Sequence, residues 1–387
     1  MRLIPSAIGG DPEKRTGVIL AKSIPAKKFK ITTGEPVAMA MRKCPELVLA
    51  KPDFKLYMQN SRAFIAICKK YAPVVEQVSI DECFCDFDNT ELVYPDPLEL
   101  AYRIKDEIKE TLGFTVNVGI SENKLLAKMA SDFEKPDKVH TLYPGEIPEK
   151  MWPLPVGELF TVGKATAERL RQARIETIGA LAHTDPAQLE RMFGPKLGSH
   201  LHRYANGISN SPVLAEPEEA KGYSISTTLE DDVETAEAAH HILLALADSV
   251  TARMRADGFK TFCVAVSIRS NDFKNKSHQQ KLREPTDGTN EIYQLAKKLF
   301  SELWNGKTPL RLLGIALTDL TKEDYVQTSL FDTADKRKTK SKKLDKAVDA
   351  LRSKYGRSTI QRGALLQDTH EVGKKYTAQM EQKTTSE

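Results

Sequence analysis

The 387-residue sequence is poor in cysteine and has no long apolar run. Its five cysteines are odd in number and include no C-x-x-C pair, which argues against a disulfide framework or a four-cysteine zinc site and favours reduced thiols. No apolar stretch approaches the ~20 residues that a membrane span needs. The residues after Met1 also lack the apolar run of a signal peptide. These absences predict a cytoplasmic protein that does not bind a membrane.

Net charge is also small, because 57 Lys and Arg residues face 53 Asp and Glu residues, which leaves +4. The overall charge therefore does not indicate a nucleic-acid partner, and basic segments have to be sought locally. Apolar residues make up 40% and charged residues 28%, a composition typical of folded soluble proteins. The length is sufficient for roughly two to four domains.

Hydrophobic periodicity, together with the Pro and Gly residues that interrupt it, divides the chain into predicted segments. Helical spacing is present over 53–71 and over 97–112, where Gly113 ends it, and the run 74–87 predicts a strand, a turn and a second strand. A further strand at 114–120 precedes a helix that we expect to start at an N-cap, Ser121. The predicted segments are 1–150, mixed α/β; 151–207, short helices; 208–222, polar linker; 223–322, βαββαβ; and 323–387, polar tail.

Two adjacent acids, Asp81 and Glu82, lie between the two predicted strands of 74–87. In a regular strand they would point to opposite faces, but at the tip of a tight hairpin they converge. Converging carboxylates repel each other, and Mg²⁺, which binds carboxylates together with substrate phosphates, relieves that repulsion. A plain polar turn is the alternative at this point.

The helix that follows Ser121 carries Lys124 and Lys128 at i and i+4, with Lys135 just beyond its end. Like charges on one helix face cost a few tenths of a kcal/mol, and a phosphate-rich partner would reverse that cost. A solvated basic face explains either lysine by itself equally well.

Taken together, three motifs closely resemble the Y-family DNA polymerases, and most of all the DNA polymerase IV and UV-repair-protein branch. They are Ser79-Ile80-Asp81-Glu82, the run Gly-Ile-Ser-x-Asn-Lys-x-x-Ala-Lys-x-Ala-Ser at 119–131, and Lys135-Pro136. The resemblance extends over nearly the whole chain. It implies a multidomain α/β and α+β fold with palm and fingers (1–150), a helix-hairpin-helix thumb (151–207) and a βαββαβ little finger (223–322).

The resemblance also implies the chemistry, which is Mg²⁺-dependent nucleotide addition opposite damaged template bases during DNA repair. Asp81 and Glu82 would be the catalytic ligands of two Mg²⁺ ions, and Lys135 would contact the deoxynucleoside triphosphate. Lys124 and Lys128 would contact primer-template DNA. Lys27 stands where many relatives have a triphosphate-binding arginine, so it keeps the charge but loses the planar fork of the guanidinium.

Relatives in this family begin with a strand that carries Asp-x-x-x-Phe/Tyr, whose aspartate is a third metal ligand. The residues from Met1 onward already resemble a later part of the family's sequence. On the order of 30 residues, about one strand and one helix, are therefore expected to be missing. Either the start codon was placed too late, or the chain is a truncated copy. A truncated copy would be a non-catalytic DNA- and clamp-binding protein.

Two basic segments downstream are candidates for contacts with DNA phosphates. Gly163 and Lys164 lie in a segment whose sequence resembles a helix-hairpin-helix turn, although a plain helical hairpin also explains them. Arg269, Lys281 and Arg283 crowd the strand pair of the βαββαβ region, where the family's little finger meets phosphates. Exposed hairpins are also often basic for solubility.

The polar tail contains a short candidate interaction motif. Gln327, Leu330 and Phe331 present one polar anchor and two apolar side chains, as linear peptide motifs do. The motif resembles the family's sliding-clamp-binding peptide, and an incidental apolar pair is the alternative. We expect the protein to be a monomer.

Overall fold

The computed structural model describes residues 3–11, 17–323, 336–356 and 359–365. The chain divides into two units, one formed by Met1–Lys55 with Glu219–Glu387 and the other by Leu56–Glu218. Within the residues described, no helix combines the length and the apolar character that crossing a membrane requires.

The N-terminal segment of the first unit forms a three-stranded sheet with two short helices. Its elements are β1 (Ser6–Gly9), β2 (Ile19–Lys22), α1 (Ile24–Lys27), α2 (Val37–Lys43) and β3 (Val48–Ala50). β1 is the central strand, antiparallel to β2 and parallel to β3. Ser23 caps α1, because its Oγ accepts a hydrogen bond from the Ala26 N–H at 3.3 Å. Lys27 is the exposed last residue of this helix.

The first part of the second unit packs two helices against a hairpin. Its elements are α3 (Phe54–Tyr71), β4 (Val74–Gln77), β5 (Cys83–Asp86) and α4 (Pro97–Leu112). β4 and β5 are antiparallel, as predicted, and Val75 packs with the apolar faces of both helices. Asp96 caps α4 through a 2.8 Å hydrogen bond from the Leu98 N–H, and Gly113 ends it at φ 73°. Both predicted helices are therefore confirmed.

A parallel strand pair follows, β6 (Val118–Ile120) with β7 (Val139–Thr141), joined by α5 (Lys124–Asp132). The N-cap of α5 is Asn123, whose side chain accepts from the Leu126 N–H at 3.0 Å. The prediction of Ser121 as the N-cap was wrong. The backbone is still extended at Asn123 (φ −150°, ψ 160°), and the Ser121 hydroxyl donates instead to the Leu142 carbonyl at 2.5 Å.

Four short helices complete the second unit: α6 (Lys164–Gln172), α7 (Ile178–Ala182), α8 (Pro186–Phe193) and α9 (Pro195–Ala205). The sequence predicted short helices here. Their buried leucines and isoleucines share one core with Leu125 and Leu126 of α5. The helical segment is therefore packed directly on the helix that carries Lys124 and Lys128.

The C-terminal domain of the first unit has the predicted βαββαβ order. Its elements are β8 (Gly222–Val233), α10 (Ala236–Ala256), β9 (Lys260–Ser270), β10 (Asn275–Thr286), α11 (Thr289–Leu303) and β11 (Leu310–Thr321). The antiparallel sheet has the order β10-β9-β11-β8. Both helices cover one face, where Leu246 and Phe300 pack on Val264, Val266 and Ile315.

The other side of this sheet, which we call the open face, has small residues in its middle rows. Register pairs place Ser226, Gly314 and Ser267 side by side, and the next row holds Ser224, Ala316 and Ala265. A Cβ on Gly314 would lie 2.6 Å from the Ser267 Oγ. Glycine at this position therefore avoids a clash with the neighbouring serines and leaves the middle of the open face without a side chain.

A further helix, α12 (Lys336–Tyr355), was not predicted, because its sequence is polar and basic. It is docked on the C-terminal domain by charged groups. Arg255 donates to Asp349 at 2.6 Å, Asp345 accepts from the Thr289 N–H at 3.0 Å, and Arg352 pairs with Asp248 at 2.8 Å. A search for apolar periodicity cannot find a helix that is held in this way.

Candidate active site

The turn between β4 and β5 presents Asp81 and Glu82 to solvent. The N–H groups of Val78 and Ser79 both donate to the Glu82 carbonyl, at 3.0 and 3.2 Å, and close the turn. The Ser79 hydroxyl donates to Asp81 Oδ1 at 2.6 Å and accepts from the Asp81 N–H at 3.2 Å. The Asp81 carboxylate is thus oriented by its own turn.

Glu82 pairs with α5 rather than with its own turn. Lys128 Nζ lies 2.6 Å from Glu82 Oε1 and 3.2 Å from Asp132, and Lys135 Nζ lies 2.7 Å from the same aspartate. The four side chains form a chain of alternating charge, Glu82–Lys128–Asp132–Lys135. The structure therefore brings three of the predicted site residues, Glu82, Lys128 and Lys135, into one network.

Pairing within this network shifts two pKa values. Burial alone would raise the pKa of the Asp132 carboxyl, but the hydrogen bond from Lys135 and the charge of Lys128 outweigh burial and hold that pKa below its usual value. Burial would lower the pKa of Lys128, but its hydrogen bond to Glu82 and the charge of Asp132 raise it. Both groups are thus held in their charged forms at neutral pH.

Lys124 lies in a different environment from Lys128. Its Nζ donates to both carboxylate oxygens of Glu76, at 2.8 and 2.6 Å, and to the Pro212 carbonyl at 3.1 Å, so only 15% of the side chain is exposed. Glu76 also accepts from the Leu214 N–H at 2.8 Å. Lys124 therefore fastens residues 212–214 to β4, and its predicted contact with DNA stays a prediction.

The donor set at the β4–β5 turn fits a hard divalent cation. Both side chains offer carboxylate oxygens, the ligand type that Mg²⁺ prefers, and Mg²⁺ commonly uses one or two carboxylates and takes its other ligands from water and substrate phosphates. Asp81 and Glu82 would hold such an ion. In the described part of the chain, only Cys68, Cys83 and Cys85 bring three metal-ligating side chains within 4.8 Å of one another.

At the thumb-like segment, Gly163 is the N-cap of α6 and provides no capping side chain. A Cβ at Gly163 would meet no atom within 4 Å, so the approach to the first turn of the helix is open. Gly163 and Lys164 line a cleft of about 840 Å³ together with Arg171. Uncapped N–H groups at a helix N-terminus favour an anion.

The basic residues of the C-terminal domain lie on β9 and β10. Arg269 Nε donates to Asn275 at 2.7 Å, Lys281 pairs with Asp319 at 2.7 Å, and the side chain of Arg283 is exposed. Lys281 is the register partner of Cys263, two residues from Ala265, so it is at the edge of the open face. Positive side chains thus border the small residues of the open face.

Two sets of predicted site residues lie outside the surfaces described above. Lys27 lies on α1, in the unit that does not contain Asp81. Gln327, Leu330 and Phe331 lie outside the described residues.

The sequence-based prediction missed Asp132 and Glu76. Asp132 is four residues from Lys128 and three from Lys135, and this helical spacing is a signal that would have identified it. Glu76 is 48 residues from Lys124, and no local pattern links the two.

Family models match most of the chain. The impB/mucB/samB family matches residues 1–132, the C-terminal domain of that family matches 220–330, and the thumb domain of DNA polymerase iota matches 157–209.

Similar proteins match nearly the full chain. "DNA polymerase IV" of Clostridium acetobutylicum is 45% identical over 367 residues, 95% of this chain and 91% of that protein. "DNA polymerase IV 1" of Bacillus subtilis is 37% identical over 94% of this chain and 87% of its own length. Among solved structures, a "Y-family DNA polymerase chimera" matches with a TM-score of 0.71 and 22% identity, over 83% of this chain and 93% of the chimera.

Proposed function

This chain belongs to the Y-family DNA polymerases of the DNA polymerase IV type, and we propose that it extends primers on damaged DNA with Asp81 and Glu82 as its metal ligands. It is a DNA-directed DNA polymerase that carries out translesion synthesis. Its partners are primer-template DNA and deoxynucleoside triphosphates, and its family depends on divalent cations. A non-catalytic DNA- and clamp-binding role is not favoured, because relatives named DNA polymerase IV match more than nine-tenths of the chain.

The observation that carries the assignment of the site is the network that starts at Glu82. Mg²⁺ bound by Asp81 and Glu82 would neutralise triphosphate charge and ease deprotonation of the primer 3′-hydroxyl. Ser79 holds the Asp81 carboxylate in place, and Lys128 balances the charge of Glu82. The Lys135 side chain is 58% exposed, so it can exchange Asp132 for a phosphate oxygen of the nucleotide.

DNA is expected to lie against two surfaces that do not read sequence. The uncapped N-terminus of α6 at Gly163 and Lys164 suits one phosphate, and the open face with Arg269, Lys281 and Arg283 suits a phosphate backbone. We further propose that Gln327, Leu330 and Phe331 bind the sliding clamp, that Lys27 contacts the triphosphate, and that the enzyme acts as a monomer.

Primer extension on an abasic template, with Mg²⁺ and all four deoxynucleoside triphosphates, tests the proposed function. We expect the protein to extend primers past the abasic site. An undamaged template is the matched control. Absence of extension on both templates would refute the polymerase function.

The basic border of the open face gives a separate prediction. Arg283→Ala is expected to weaken binding to DNA of any sequence. The negative slope of log K against log [salt] should become less steep by about 0.9, the value of one lost phosphate contact on duplex DNA. Lys298→Ala removes one exposed positive charge from α11, which covers the opposite face, and is the control. Equal losses in the two variants would show that total charge, and not this surface, governs binding.

A further inference from the structure

Three thiols meet inside the α3–hairpin core. Cys68 is buried on α3, and Cys83 and Cys85 lie two residues apart on β5, half-buried. Residues i and i+2 of a strand point to the same side, so β5 directs both of its cysteines at α3. The Sγ of Cys83 is 3.7 Å from the Sγ of Cys68 and 3.9 Å from that of Cys85, and all three sulfurs are within 4.8 Å of one another.

We propose that Cys68, Cys83 and Cys85 form a binding site for a thiophilic divalent cation of the Zn²⁺ type. Zn–S bonds of about 2.3 Å place two tetrahedral sulfur ligands about 3.8 Å apart. The two closer sulfur separations, 3.7 and 3.9 Å, bracket that value. Each coordinating thiol releases its proton, and three protein ligands leave one position for water.

Ligand chemistry separates this site from the one at Asp81 and Glu82. Thiolates select Zn²⁺, Cd²⁺ and related soft ions, whereas carboxylates and water suit Mg²⁺. The other two cysteines are buried singly in the other unit, Cys44 in the core of the N-terminal segment and Cys263 on β9. Among the residues that the structure describes, thiols gather at this one place.

A cation bound at this site would connect two elements next to the turn that carries Glu82. Cys83 directly follows Glu82, so an ion held by Cys68 and Cys83 would tie α3 to the strand that continues from the catalytic turn. Because a ligand that binds only the folded protein stabilises it by mass action, bound cation is expected to raise the melting temperature.

Titration of the reduced full chain with Cd²⁺ alone tests the site. We expect the ultraviolet charge-transfer absorption of cadmium–thiolate bonds to saturate at one ion per chain, with a rise in melting temperature. Cys68→Ala, Cys83→Ala and Cys85→Ala should each weaken binding by at least about 10-fold, since loss of even an outer partner of a metal ligand has that effect. Cys44→Ala and Cys263→Ala should bind as the unchanged chain does.

Three outcomes would overturn the proposal. They are no saturable thiolate absorption, absorption that survives in the variants of Cys68, Cys83 and Cys85, and absorption lost equally in the two control variants. Each result would mean that the three thiols are ordinary core packing, which is common for cysteine. Circular dichroism without Cd²⁺ checks that each variant folds, and a variant that does not fold is replaced by the corresponding serine substitution.

Discussion

Asp81→Asn and Glu82→Gln are each expected to reduce primer extension by more than about 100-fold. Loss of an outer-shell partner already lowers metal affinity or activity by about 10- to 100-fold, and these carboxylates are the proposed ligands themselves. The amides keep the size of each side chain and still accept hydrogen bonds, so Ser79 and Lys128 retain a partner. What is removed is the negative charge that holds the cation.

DNA affinity supplies the internal control for these two variants. Because the proposed phosphate contacts are at α6 and on the open face, binding of primer-template DNA in a fluorescence anisotropy assay should change by less than about threefold, or well under 1 kcal/mol. Glu122→Gln, an exposed acid in the loop before α5, is the matched substitution and should extend primers normally. If either Asp81→Asn or Glu82→Gln retains extension, that residue is not a metal ligand.

Gly119→Ala is expected to destabilise the protein by about 3 kcal/mol or more. A Cβ at this position of β6 would lie 1.9 Å from the Ala127 carbonyl oxygen and 2.5 Å from the Ser131 nitrogen. Both are backbone atoms of α5, so no side chain can rotate away and the whole helix has to move. Overpacking of this kind costs about 1–3 kcal/mol, and more where backbone is forced apart.

Thermal unfolding and primer extension measure this effect together. A loss of about 3 kcal/mol corresponds to a fall in melting temperature of about 6–12 °C for a unit of this size. Displacement of α5 also moves Lys128 away from Glu82, so extension should fall at temperatures where the variant is folded. Gly145→Ala is the control, because a Cβ there meets no atom within 4 Å. Similar melting temperatures in the two variants would show that α5 yields at little cost.

Local signals in the sequence were sufficient for most helices and strands. α4 was predicted at its observed limits because its apolar residues repeat at helical spacing and Gly113 ends the repeat. The start of α5 was predicted two residues early, because Ser121 and Asn123 are both good capping residues and only tertiary structure decides between them. α12 escaped prediction because partly buried ion pairs, which leave no periodic apolar pattern, hold it in place.

In the candidate site, residues that are adjacent in the sequence could be identified from the sequence. Contacts between residues that are far apart in the sequence could not. Asp81 and Glu82 stand out because two adjacent acids lie between two segments whose pattern predicts β-strands. The pairing of Glu82 with Lys128, 46 residues later, depends on how α5 packs on β6, which no single segment specifies. The same limit applies to Cys68 and Cys83, whose contact requires α3 to fold back on β5.

The short side chains in the middle of the open face bear on how the enzyme advances along its template. Serine, alanine and glycine side chains are too short to reach base edges, so the energy of DNA on this surface should be nearly the same at every base step. The bordering arginine and lysine side chains are proposed to hold phosphates, which repeat identically along the strand. We infer that no preferred register opposes translocation, so the domain can keep its hold on DNA while the primer terminus moves by one nucleotide.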